Sequence, residues 1–230
     1  MAKERKLAVF DIDGTIFRGS LIISLVEELI RRGVFPEEAR EQYLSDRKRW
    51  VERNGDYESY VMKLVKAFES YIKGVHYEDM LHASQSVIKE EKGHVYRYTR
   101  DLVAKLKKQD YYLLSISNSP KTIVELFAKS LGFTKAYGRI YEIGPTDRFT
   151  GSIVDLHLIA NKANIVKRVL KSENLSLEGS VGVGDTESDI AFLELVEKPI
   201  CFNPNMNLYR YGKRMKWPVV VERKDVIYEL

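Results

Sequence analysis

The chain has 230 residues, 44% hydrophobic and 30% charged, with a net charge of +4 and a single cysteine. That is an ordinary globular balance, sized for one large domain or a core with a smaller companion. No apolar run reaches the about 18 residues a spanning helix needs. The lone Cys201 excludes an internal disulfide and a multi-cysteine metal site.

The chain opens on charges and then gives "LAVFDIDGTIF" at 7–17. A signal peptide also starts charged and turns apolar, but Asp11 and Asp13 interrupt the apolar part too early. The expectation is the first buried strand, over 6–11, of a cytoplasmic protein. From about 20 to 91 the spacing turns helical. One helix stops at Gly33, a second starts after Pro36, a third begins with a capping Asp56 and stops at Gly74, and a fourth closes at Gly93. A further helix leads to a second buried strand at 111–117, and "SPKTIVELFAKSLGF" reads as the helix after it. Two stretches of β-formers flank Gly144–Asp147 and predict a β-hairpin over 137–155. A helix over 161–173, a third buried strand at 180–185, a helix over "DIAFLELV" and two short strands, "PICF" and "PVVV", complete the chain.

Strand–helix alternation predicts a parallel α/β sheet. The expected organisation is a Rossmann-like core of 1–19 and 92–230, interrupted by an all-helical cap at 20–91, with a small β-hairpin. Basic clusters at 47–49 and 212–216 read as solvated helix faces, so no nucleic-acid or membrane partner is expected. His76, His82, His94 and His157 have no ligand spacing, and Trp50, Tyr57 and Tyr60 read as helical core.

In open α/β sheets the ligand sits at the carboxyl ends of strands. Three predicted strands end at polar sites: Asp11 to Thr15, Ser117 to Ser119, and Asp185 to Asp189. A calcium loop also likes Asp-x-Asp, but it wants flanking helices and Gly at its sixth position, whereas Gly14 is fourth here. A strand-end turn explains Gly14 but not two aspartates. Asp185 and Asp189 alone would suit an acidic helix N-terminus. Gly182-x-Gly184 hints at a dinucleotide loop, but Glu187 stands where the third glycine belongs. Unit charges about 4 Å apart interact by about 4 kcal/mol at an effective dielectric near 20. Converging aspartates therefore ask for a hard cation, and magnesium prefers a few carboxylates, waters and a substrate phosphate.

"DIDGT", "SISNS", a lysine and "GDTESD", in that order, resemble the haloacid dehalogenase-like phosphohydrolases. The hairpin region and the Asn-Pro near the end resemble the phosphoserine-phosphatase-like branch, which carries a helical cap after its first motif. The resemblance implies a Mg2+-dependent phosphomonoesterase acting on a small phosphorylated metabolite. Asp11 would be the nucleophile, forming an aspartyl-phosphate. Asp13 would protonate the leaving oxygen and then activate water, which needs a raised pKa. Magnesium would be held by Asp11, the Asp13 backbone carbonyl and Asp185, with Asp189 supporting. Thr15 would fix the loop or the phosphate. Ser117 and the Asn118 N–H would bind the phosphoryl group, and Lys162 would stabilise its charge, with Lys167 as the alternative. A phosphotransferase or mutase using the same intermediate, or a phosphometabolite-binding protein, is the competing expectation. The chain departs from the branch in having no acid between the first motif and Glu27, in Ser117-Asn118-Ser119 for Ser-Gly-Gly, and in Ser188 before the final aspartate. These changes argue against phosphoserine as substrate, and Arg18 suggests a second anionic group on it.

Overall fold

A computed structural model describes residues 4–155 and 161–230. An eight-stranded sheet has the order β4-β3-β2-β1-β5-β6-β7-β8. Its strands are β1 Arg5–Asp11, β2 Tyr112–Pro120, β3 Lys135–Ile143, β4 Phe149–Val154, β5 Leu175–Gly184, β6 Lys198–Phe202, β7 Val219–Arg223 and β8 Val226–Glu229. The inner strands are parallel, and only the β3–β4 and β7–β8 pairs are antiparallel. β1 lies between β2 and β5, where the connections diverge to opposite sides, which is where such sheets bind ligands.

β1 is buried on both faces, as a parallel sheet requires. Ala8, Phe10 and Ile12 pack into one apolar cluster, and Leu7 and Val9 into the other. Five helices separate β1 from β2: α1 Leu21–Arg31, α2 Glu38–Val51, α3 Tyr57–Tyr71, α4 Tyr77–Glu91 and α5 Arg97–Lys108. Asp56 caps α3 by accepting the Ser59 N–H, as its position predicts. Phe35, Tyr43, Tyr60 and Phe68 of the helical region belong to the same cluster as Phe10. The described part of His76 chemistry is local: its Nδ1 accepts the Glu78 N–H at the start of α4. His157 lies outside the described residues.

The hairpin forms where the β-formers predict it, with Ile143 opposite Phe149. It is also bonded to the turn between α3 and α4. Gly74 N–H donates to Phe149 O (2.8 Å), Phe149 N–H to Val75 O (2.9 Å) and Tyr77 N–H to Asp147 O (2.8 Å).

Several boundaries differ from the sequence reading. β2 runs on to Pro120, because Pro120 bridges to Arg139 of β3. β5 starts at Leu175, paired with Arg5. The helix expected over "DIAFLELV" shrinks to a 3-10 turn at Glu187–Asp189 and a single turn at Ile190–Leu193. The helix at Met206–Met215, capped by Asn205, was expected only as a solvated face at 212–216, and the edge strand β8 has no counterpart in that reading.

Candidate active site

The site forms at the carboxyl end of β1. After Asp11 the chain folds into a tight turn in which Thr15, Ile16 and Phe17 N–H groups all point to Ile12 O, and Gly14 N–H donates to Phe17 O and Gly19 O. Gly14 has φ +82°, and a Cβ there would strike Asp185 Oδ2. Glycine is therefore required twice, by the backbone and by the neighbouring carboxylate.

Asp11, Asp185 and Asp189 each bring a carboxylate oxygen to within 4.8 Å of the other two. Lys162, at the first turn of the helix Lys162–Glu173, reaches in from the opposite side. Its Nζ donates to Asp11 Oδ1 and to Asp189 Oδ1, both at 2.6 Å. All three partners of this ion cluster are buried. Burial alone would depress the Lys162 ammonium, but the Asp11 and Asp189 charges outweigh it and hold it above its ordinary value. Lys167 is exposed on the same helix and takes no part.

Asp189 is spent on structure as well as charge. Its Oδ2 accepts the N–H groups of Asp185 (3.0 Å) and Thr186 (3.2 Å), completing a capping box with Thr186. Asp11 is different. Its Oδ2 is buried and has no hydrogen-bond partner. Burial is the largest cause that raises its carboxyl from 3.8 to about 7, with Lys162 opposing and the Asp189 and Asp13 charges adding to the rise. Asp185 is raised well above 3.8, first by burial and then by the Asp11 and Asp189 charges. An orphaned buried carboxylate oxygen beside two further carboxylates is a donor set of hard oxygens in one place. It fits a hard divalent cation, with Asp11 and Asp185 as the carboxylates free to hold it.

The Asp11 shift has a measurable consequence. The unfolded chain sheds this proton near 3.8 and the native chain near 7, so in that window the native state binds more protons. This group's contribution to stability is whole below the lower value and is lost as pH rises through the upper one. In EDTA, the melting temperature of Asp11→Asn minus that of wild type should grow between about pH 4 and 7 and then level off. A difference that stays constant across those melts would contradict the burial argument.

Asp13 sits on the other side of the turn. Its Oδ1 accepts the Leu21 N–H (2.6 Å), and its Oδ2 accepts the hydroxyls of Ser117 and Ser119 (3.0 Å for Ser119). Ser117 was expected to face the phosphoryl group; here its hydroxyl is turned to Asp13. Asn118 is exposed, and its N–H lies inside β2 rather than at a helix start, because that strand continues to Pro120. Thr15 is fully buried; its backbone carbonyl accepts the Thr99 hydroxyl (3.0 Å), and its own Oγ1 has no hydrogen-bond partner among the described residues.

Two contributors escape the sequence reading. Ser119 lies in this network although it follows the predicted strand end. The signal was the alternation Ser115-x-Ser117-x-Ser119, which puts three hydroxyls on one side of an extended chain. Tyr96 stands beside the first turn, with the Arg18 guanidinium 5.6 Å from its ring centre. Burial and then the Asp185 charge raise its phenol, while Arg18 opposes.

A family model described as haloacid dehalogenase-like hydrolase matches residues 8–194. The chain is 28% identical over 204 residues to a phosphoserine phosphatase of Archaeoglobus fulgidus, covering 87% of this chain and 53% of that protein. It therefore spans about half the length of that curated relative. It is 23% identical over 224 residues to a histidinol-phosphatase of Neisseria meningitidis, with 94% and 98% of the two chains covered. Its fold is similar to a solved phosphoserine phosphatase described as a phospho-aspartyl intermediate analogue, with a TM-score of 0.63 at 22% identity over 97% of this chain and 96% of that one. Among the described residues no helix is long and apolar enough to cross a membrane.

Proposed function

The chain belongs to the haloacid dehalogenase-like hydrolases, and on that premise we propose that it is a magnesium-dependent phosphomonoesterase working through an aspartyl-phosphate on Asp11. The observation that carries this reading is the state of Asp11: one oxygen anchored by Lys162, the other buried and unpartnered. That second oxygen attacks phosphorus as the bond to the leaving oxygen breaks. Asp13 gives its proton to the leaving oxygen. It then takes one from the water that opens the aspartyl-phosphate, which restores Asp11 and frees inorganic phosphate. Lys162 offsets the charge that develops on the phosphoryl oxygens. Ser117 supports the site through its hydroxyl on Asp13.

Asp11, Asp185 and the Asp13 carbonyl would hold magnesium, with Asp189 supporting. When bound, it supplies positive charge to the phosphoryl group and relieves the crowding of the carboxylates. Residues 20–91 act as a cap over the core formed by 1–19 and 92–230, excluding water during transfer. The two curated relatives are named for different substrates, phosphoserine and histidinol phosphate. Family membership therefore leaves the substrate to the cap, and a small phosphorylated metabolite is the class proposed.

The test is phosphate release from a panel of phosphorylated metabolites with Mg2+ and with EDTA. Release that needs the metal supports the reading, and equal release in EDTA would remove magnesium from it. Gly14→Ala should raise the Mg2+ concentration for half-maximal release by roughly 10–100-fold, because its Cβ displaces the Asp185 carboxylate. An unchanged Mg2+ titration in that variant would contradict the placement of Asp185.

A further inference from the structure

The N-terminus of α1 is capped from outside its own sequence. Ser20 stands at the cap position, yet its side chain makes no cap hydrogen bond. Ile23 and Ser24 donate to Ser20 O, which leaves the N–H groups of Leu21 and Ile22. Leu21 donates to Asp13 Oδ1 (2.6 Å), and Ile22 donates to Ser119 Oγ (3.2 Å). Ser119 is nearly fully buried, and its hydroxyl passes on to Asp13 Oδ2 (3.0 Å). Its own N–H donates to Ser117 Oγ (2.9 Å), whose proton also goes to Asp13 Oδ2.

A backbone N–H can only donate, so each serine oxygen accepts one N–H, and with Asp13 ionised each hydroxyl proton goes to its carboxylate. Oδ2 receives both hydroxyls and Oδ1 receives Leu21. Of the about four lone-pair directions on a carboxylate, one on Oδ1 is left for a further hydrogen.

We propose that Ser119 is a positioning residue for Asp13, locking its carboxyl to the N-terminus of α1 with Oδ1 as the less committed oxygen. This rests on the reading of Asp13 as the general acid. Placement of the acid and placement of the first cap helix become one event, because the same two residues hold both.

The experiment compares wild type, Ser119→Ala and the control Ser84→Ala, a buried serine of α4 that bonds only Met80 O. Two readouts are taken. The first is kcat and KM with Mg2+ on phenyl phosphate, whose leaving group needs a proton, and on p-nitrophenyl phosphate, which leaves readily without one. Ser119→Ala should lower kcat on phenyl phosphate by about 10–100-fold, with KM little changed. On p-nitrophenyl phosphate the loss should stay within about threefold. The second is amide exchange, where Leu21 and Ile22 should exchange at least about tenfold faster in Ser119→Ala and not in Ser84→Ala. Equal losses on both esters would overturn the positioning role, and unchanged Ile22 exchange would overturn the lock. If wild type releases phosphate from neither ester, the same comparison is made on the metabolite that the Mg2+ panel identifies, and release from none of these overturns the role of Asp13 as the acid and with it the positioning role. The exchange result still decides the lock.

Discussion

Asp11→Asn should lower phosphate release by at least about 10⁴-fold and leave the fold intact. The amide keeps the size of the side chain and an oxygen for Lys162, so the buried ion cluster loses a charge but no volume. What it cannot do is attack phosphorus, because the unpartnered oxygen of the wild type is the only part of Asp11 not committed to Lys162. Removing a carboxyl that burial raises to about 7 should also leave the melting temperature at pH 7.5 unchanged or higher. Loss of release with a native melt would locate the effect in chemistry. Retained wild-type turnover would sink the covalent mechanism.

Lys162→Met should do the opposite to stability. The ammonium is buried between Asp11 and Asp189, two carboxylates that are themselves buried. Removing one partner of a buried ion cluster typically costs about 3–5 kcal/mol, because the remaining charge is left without compensation. Set against a total of about 5–15 kcal/mol, that is a large fraction. For a chain of this size it corresponds to a fall of roughly 6–20 °C in melting temperature. Mg2+ should recover part of the loss, since positive charge returns to the same carboxylates. Phosphate release should fall as well, because Lys162 is the cation beside the reacting oxygen. A Lys162→Met protein that melts like wild type in EDTA would show that the cluster is not the support it resembles.

Much of this site was legible because its residues lie at strand ends, where apolar runs break into acids. "LAVFDIDGT" and "SVGVGD" carry that signal in a few adjacent residues. Lys162 followed from the resemblance, which puts a lysine at the start of the helix leading to β5; position alone did not single it out among the lysines. The bonds of Ser117 and Ser119 were not. They depend on β2 continuing past residue 117, and that depends on Pro120 meeting Arg139 of β3, a partner remote in sequence. For the same reason Asn118 was misplaced at a helix start. The helix at 206–215 was legible and was passed over: Leu208, Tyr211 and Met215 recur at helical spacing behind a capping Asn205.

The backbone bonds between the α3–α4 turn and the hairpin carry a mechanical consequence. The helical region joins the sheet at its two chain crossings and again at residues 74–77, which pair with 147–149. A body fastened at three separated points does not swing as a door on one axis. Any excursion of the helical region from the sheet either breaks the third fastening or takes the hairpin along, so β3 and β4 travel with the helices. At Gly138 the backbone passes so close to Ser119 O and Lys121 that a Cβ would lie 2.9 Å and 2.7 Å from them. Only glycine fits that close approach of β3 to β2.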